Sequence, residues 1–164
     1  MSQNSAIQLL KTPRAEDLAL TRLSNAAGLQ ISLLPNGSVF AIEHVQQGQR
    51  LMVNRTLGSA IAGSMGRVCL RIGGDEAQIL AVAGADARGR IGASDDHFVW
   101  VGETGGIAHQ VSLQLLADEN LWMWRVQVRN GRNVVLACDA ILNANPVVPD
   151  RGSAASVASG REIL

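Results

Sequence analysis

Asp95-Asp96-His97 sets two carboxyl groups beside an imidazole, three groups that can hold, give or take a proton. Paired carboxylates are what glycoside chemistry uses as acid and base, provided they flank one bond. Neighbours on a strand point to opposite faces, so Asp95 and Asp96 are poorly placed to share a site. Ser94-Asp95-Asp96 reads more simply as a polar turn that starts a strand His97–Val101. Three tryptophans add a second chemistry, because an indole plane can cover the apolar C–H face of a pyranose. Trp122 and Trp124 fall on the apolar face of a patterned strand and are expected in the core. Trp100 has Val99 and Val101 on the opposite face and is the better sugar contact. The candidate carbohydrate contacts are therefore Trp100, Asp95, Asp96 and His97, and no catalytic residue is expected.

Other chemistries fail on spacing. A phosphate-cradling loop must end in Gly-Lys-Ser/Thr, whereas Gly58, Gly63 and Gly66 lead to Arg67 and the only lysine is Lys11. Gly63-Ser64-Met65-Gly66 is one residue short of a nucleophile elbow and lies between β segments. His44, His97 and His109 are widely separated and read as surface or strand-edge histidines. Cys69 and Cys138 have no cysteine or histidine two to four residues away, so no metal site and no cofactor is expected. Both cysteines sit in apolar, strand-like stretches and read as buried free thiols.

The elements that would carry these residues are strands. Thr12-Pro13 followed by Ala15–Leu23 suits a short helix or irregular lead-in. From Gly28 onward, short apolar or alternating runs are separated by glycine turns. Leu29–Leu34 and Val39–His44 flank Pro35-Asn36-Gly37-Ser38, a tight hairpin turn. Arg50–Asn54, Gly66–Ile72 and Gln78–Ala83 are further strands, and Gly84–Ala93 reads as a long loop. Val111, Leu113 and Leu115 alternate with Gln110, Ser112 and Gln114; Trp122, Trp124, Val126 and Val128 alternate with Met123, Arg125, Gln127 and Arg129. Two strands of this pattern pair with their apolar faces together. Asn130-Gly131 is expected to turn the second of them into Asn133–Leu142. With no long amphipathic helix to cover the apolar faces, an all-β, antiparallel two-sheet sandwich follows. Its divisions are residues 1–27 as lead-in, 28–145 as the sandwich and 146–164 as a flexible tail.

The chain has 164 residues, 47% hydrophobic and 17% charged, with 14 basic and 14 acidic side chains and no net charge. That is enough for one globular domain with a core. A neutral chain lacks the positive excess that phosphate backbones demand, which excludes nucleic acid as a partner. No apolar run approaches a membrane span, and the start lacks a signal pattern, so membrane association is not expected and a cytoplasmic location is.

Three stretches carry a family resemblance: Leu34-Pro35-Asn36-Gly37-Ser38-Val39-Phe40-Ala41-Ile42, Ser94-Asp95-Asp96-His97-Phe98-Val99-Trp100-Val101-Gly102, and Leu121-Trp122-Met123-Trp124-Arg125-Val126-Gln127-Val128-Arg129-Asn130. Together they resemble the N-terminal supersandwich of family 94 glycoside phosphorylases, the family of cellobiose and chitobiose phosphorylases and of the phosphorylase-like part of cyclic β-1,2-glucan synthases. The resemblance runs from Gly28 to Leu142. It implies a sandwich that precedes an (α/α)₆ barrel, where an aspartate acts as general acid while phosphate attacks the anomeric carbon. No segment here forms that barrel, so the aspartate has no counterpart. The chain then reads as a truncated remnant, a split subunit or an excised domain, not an enzyme alone. Its expected partners are an oligosaccharide, a catalytic barrel subunit or further copies of itself. A stand-alone carbohydrate-binding module and a structural sandwich without glycan binding are the competing readings.

Overall fold

The structure is a computed structural model and describes residues 8–10, 20–54, 57–58, 66–74 and 76–143. Every regular element among them is a strand. In chain order these are β1 (Gln8–Leu10), β2 (Thr21–Ser24), β3 (Leu29–Leu33), β4 (Val39–Gln46), β5 (Gln49–Met52), β6 (Arg67–Ile72), β7 (Gln78–Ala83), β8 (Arg90–Ala93), β9 (His97–Thr104), β10 (Ile107–Leu115), β11 (Trp122–Asn130) and β12 (Cys138–Asn143). The all-β antiparallel class read from the sequence is what the chain adopts. Its strands form three hydrogen-bonded sheets instead of the expected two, in the orders β1-β8-β9-β10-β11, β12-β6-β7 and β2-β3-β4-β5. Among the described residues no register joins β6 or β7 to the β2–β5 sheet.

One core serves all three sheets. Leu23, Ile31 and Leu33 meet Val68, Leu70 and Val82 and, from the five-stranded sheet, Phe98, Val111 and Leu113, all at most 1% exposed. The period of two in β10 buries Ile107, His109, Val111, Leu113 and Leu115, leaves Gln110 exposed and half-buries Ala108, Ser112 and Gln114. Its pairing with β11 sets Val111 opposite Val126, Leu113 opposite Trp124 and Leu115 opposite Trp122, as the alternation requires. The β3–β4 hairpin is also present. Gly37 has φ +83°, and Asn36 Oδ1 accepts from the Ser38 amide at 3.1 Å. A Cβ on Gly37 would lie 2.6 Å from Trp100 Nε1, so this turn is both left-handed and packed against the next sheet.

Individual elements also depart from the sequence reading. The lead-in helix is replaced, where residues are described, by strands: β1 pairs with β8, and β2 pairs with β3 with Leu23 fully buried. Residues 11–19 lie outside the described residues. Asn25 is the missed signal, because its side chain accepts from the Leu29 amide and donates to the Leu116 and Glu119 carbonyls, tying the β2–β3 turn to the β10–β11 turn. Within Gly84–Ala93, Arg90–Ala93 is the strand β8, held between β1 and β9; Gly89 lets the chain enter it, since a Cβ there would stand 2.4 Å from the Val101 carbonyl oxygen.

Asn130-Gly131 does not make a hairpin, for β11 and β12 belong to different sheets. Gly131 is not among the glycines with positive φ. Asn130 instead accepts from the Arg132 amide at 2.9 Å and donates to the Val134 carbonyl at 2.8 Å, which carries the chain away from β11. Residues 131–137 are not strand, and β12 pairs with β6. The cysteines are free; Cys69 is half-buried, but Cys138 is exposed because β12 is a sheet edge. The tail, residues 146–164, lies outside the described residues.

Candidate functional site

The β8–β9 turn gathers most of the side chains singled out by the sequence. It closes through the Ser94 amide, which donates to the His97 carbonyl at 2.9 Å. Ser94 Oγ donates to Asp96 Oδ1 at 2.9 Å, and His97 Nδ1 stands 2.7 Å from both Asp96 Oδ1 and Ser94 Oγ. Gln114 joins from the neighbouring strand, where it is the register partner of His97, and donates to Asp96 Oδ2 at 3.3 Å. The β9–β10 pairing around Gly105-Gly106 is the signal that would have found it. Asp95 is exposed and takes no part.

Serine, histidine and aspartate are the components of a nucleophilic relay, but their geometry here differs. A relay needs serine on one ring nitrogen and the acid on the other. Both partners meet Nδ1 of His97, so the ring cannot pass a proton between them. Partial burial works to raise the Asp96 carboxyl, yet hydrogen bonds from His97 and Ser94 and the charge of His97 outweigh it and hold the group below its usual range. A glycosidic general acid needs the opposite shift, toward retention of its proton at neutral pH. What the cluster does physically is fix the turn and present ionised Asp96 beside Asp95.

Trp100 does not share that surface. It is 2% exposed and stacks on Trp124, with ring centroids 5.5 Å apart and planes 26° from parallel. Its ring faces inward, so no pyranose can lie on it in this structure. Trp122 and Trp124, expected in the core, do pack against it but are only half-buried, because β11 is an edge strand.

The remaining titratable candidates do not converge. His44 Nε2 lies 3.1 Å from the Ala27 carbonyl and serves the β2–β3 turn. His109, expected at the surface or a strand edge, is 3% exposed beneath Gly102, with neither ring nitrogen partnered among the described residues. Burial alone lowers its pKa from the ordinary value. Partial burial and the neighbouring Asp139 push the Cys138 thiol up, away from the nucleophilic thiolate. Among the described residues no three His, Cys, Asp or Glu side chains form a group able to hold a metal ion.

Fold and side chains define an antiparallel β domain with a built polar turn and no proton relay in it. The comparison with protein families gives the lineage: residues 32–156 match the model of the SOGP N-terminal domain, and the chain belongs to that family. The family is the N-terminal region of sophorooligosaccharide, or β-1,2-glucan, phosphorylases and is related to family 94. No curated protein matches the chain.

Proposed function

We propose that this domain is a non-catalytic part of a phosphorylase acting on β-1,2-linked glucans, packed against the barrel that holds the reacting groups. The family match over residues 32–156 carries this reading. The chemistry of the β8–β9 turn supports it, since inverting phosphorolysis needs a protonated acid at the leaving oxygen and Asp96 is held ionised. Within this reading Asp95, Asp96 and His97 form a polar rim that would meet a sugar at the border of the barrel, and Trp100 has no part in it.

The test is an assay of the purified chain with sophorose or longer sophorooligosaccharides and phosphate, following release of glucose 1-phosphate. No release is expected, and addition of a barrel domain from a phosphorylase of this family should not require Asp96 as the acid. Turnover by the chain alone that vanishes in Asp96→Asn would overturn the proposal. Calorimetric titration with the same sugars separates an accessory domain from a stand-alone carbohydrate-binding module: saturable binding by the isolated chain favours the module.

A further inference from the structure

We infer that the edge of β12 that has no strand neighbour among the described residues is a pairing surface for a second copy of this chain, joined strand to strand about a two-fold axis at Ile141. Six strands are sheet edges among the described residues, and five are guarded against pairing. Edges are blunted by shortness, charge, bulges or cover. β1 has three residues, and β2 and β5 have four each and carry Arg22 and Arg50. β11 carries Arg125 and Arg129. β7 has a register irregularity opposite Val68/Cys69 and packs on β9 and β10. β12, Cys138-Asp139-Ala140-Ile141-Leu142-Asn143, has no lysine, arginine or proline and no irregularity in its pairing with β6. Its single charge is already satisfied, because Arg71 opposite it grips Asp139 through Nε, at 2.8 Å, and Nη2.

The side chains of β12 are as unguarded as its backbone. Val68, Leu70 and Ile72 are at most 8% exposed, yet their register partners Leu142, Ala140 and Cys138 on the same face are exposed, Leu142 at 47%. The core-facing row therefore runs out into solvent at this edge. On the opposite face Ile141 is 43% exposed.

The occupant follows from self-complementarity. A two-fold axis perpendicular to the sheet makes an antiparallel pair and keeps each core face on the same side, so paired residues have the same parity. Centred on Ile141, the ladder sets Ile141 on its own counterpart, Ala140 on Leu142, and Asp139 on Asn143. The exposed apolar groups then cover one another. Each carboxylate faces an amide, and no like charges stand opposite. A three-stranded sheet becomes one of six strands. Because one ladder of five residue pairs buries little area, the dimer is weak and concentration-dependent.

The test uses the whole chain in analytical ultracentrifugation from roughly 1 to 500 µM, a range chosen for interfaces of this size. The mass should rise from 17.3 kDa toward twice that value. Ile141→Lys and Ile141→Glu should each remain monomeric, since each places like charges face to face, and an equimolar mixture of the two should restore the dimer. Ile79→Lys, a change at a still more exposed isoleucine on the other edge of the same sheet, should leave it intact. On the unchanged chain, amide hydrogen exchange across 139–143 should slow with concentration, a measurement that stands even if a charged variant fails to fold. A mass of 17.3 kDa throughout, a dimer that survives Ile141→Lys, a mixture that does not reassociate, or protection of 139–143 only by a different polypeptide would each overturn the inference.

Discussion

His109 is a neutral base held where water does not reach, and its burial makes an acid-sensitive term in stability. Its folded pKa lies below the ordinary 6.5. Between those two values the unfolded chain binds a proton that the folded chain refuses, so stability rises with pH across that window. The contribution is neutral above about pH 6.5 and grows unfavourable as pH falls toward the depressed folded value. We expect the urea midpoint to fall on acidification from about pH 7.5 to 5.5, the range over which an ordinary imidazole protonates. His109→Leu should flatten that decline, because it removes both unpartnered nitrogens and keeps an apolar group of similar volume. An unchanged slope in the variant would assign the acid sensitivity to other groups. Sequence alone could not place this residue: alternation put His109 on the buried face with Val111 and Leu113, but a histidine's polarity argued for the surface. Trp100 shows the same limit. Its neighbours Val99 and Val101 looked like the apolar face, yet all three lie in a sheet whose two faces are both partly covered.

At the scale of elements, turns were legible where a glycine had to adopt a positive φ and illegible where a side chain made the turn. Pro35-Asn36-Gly37-Ser38 is legible because Asn-Gly implies its own geometry. Asn130-Gly131 carries the same letters, but the asparagine side chain bonds forward to Arg132 and Val134 and no tight turn forms. The two glycines should therefore respond differently to substitution. Gly37→Val forces a β-branched residue to φ +83° and drives Cβ into Trp100, which should cost roughly 2–4 kcal/mol. Gly131→Ala meets only the Gly106 carbonyl oxygen at 3.0 Å and should cost under about 1 kcal/mol. Equal losses in denaturant melts would mean that Gly131 also depends on a backbone that other residues cannot adopt. The strands β2 and β8 carry no sequence signal for a related reason. Both are four residues long, too short for periodicity to speak, and what makes them strands is a waiting edge on β3 or β9.

Across the whole molecule, the margin of the core shared by the three sheets is closed by an aromatic contact that the strand pattern implies only in part. The pattern correctly put Trp124 on the core-facing side of β11 and opposite Leu113. It could not show that β11 is an edge, because the partner expected on its far side, the chain after Gly131, goes to β6 instead. Trp124 consequently closes the margin of the core. One face of its indole stacks on Trp100 of β9, and its Cζ2 lies 2.6 Å from where a Cβ on Gly66 would stand, at the entry to β6. The same ring thus ties the five-stranded sheet to the three-stranded one. Trp124→Ala should remove that tie at a cost of about 2–4 kcal/mol, less than a fully enclosed tryptophan because part of the ring is already in water. Trp122 lies one row along and has no ring contact with Trp100, so Trp122→Ala should cost less. Gly66 supplies the cross-check: its φ of +72° and its contact with the indole mean that Gly66→Ala strains the wild-type protein. In the Trp124→Ala background the steric part of that strain is gone and only the backbone part remains. Denaturant unfolding of the two single variants and the double variant should therefore give a total loss smaller than the sum of the parts. A strictly additive result would show that Gly66 and Trp124 do not press on each other and that this ring adds no tie between the two sheets beyond their shared core.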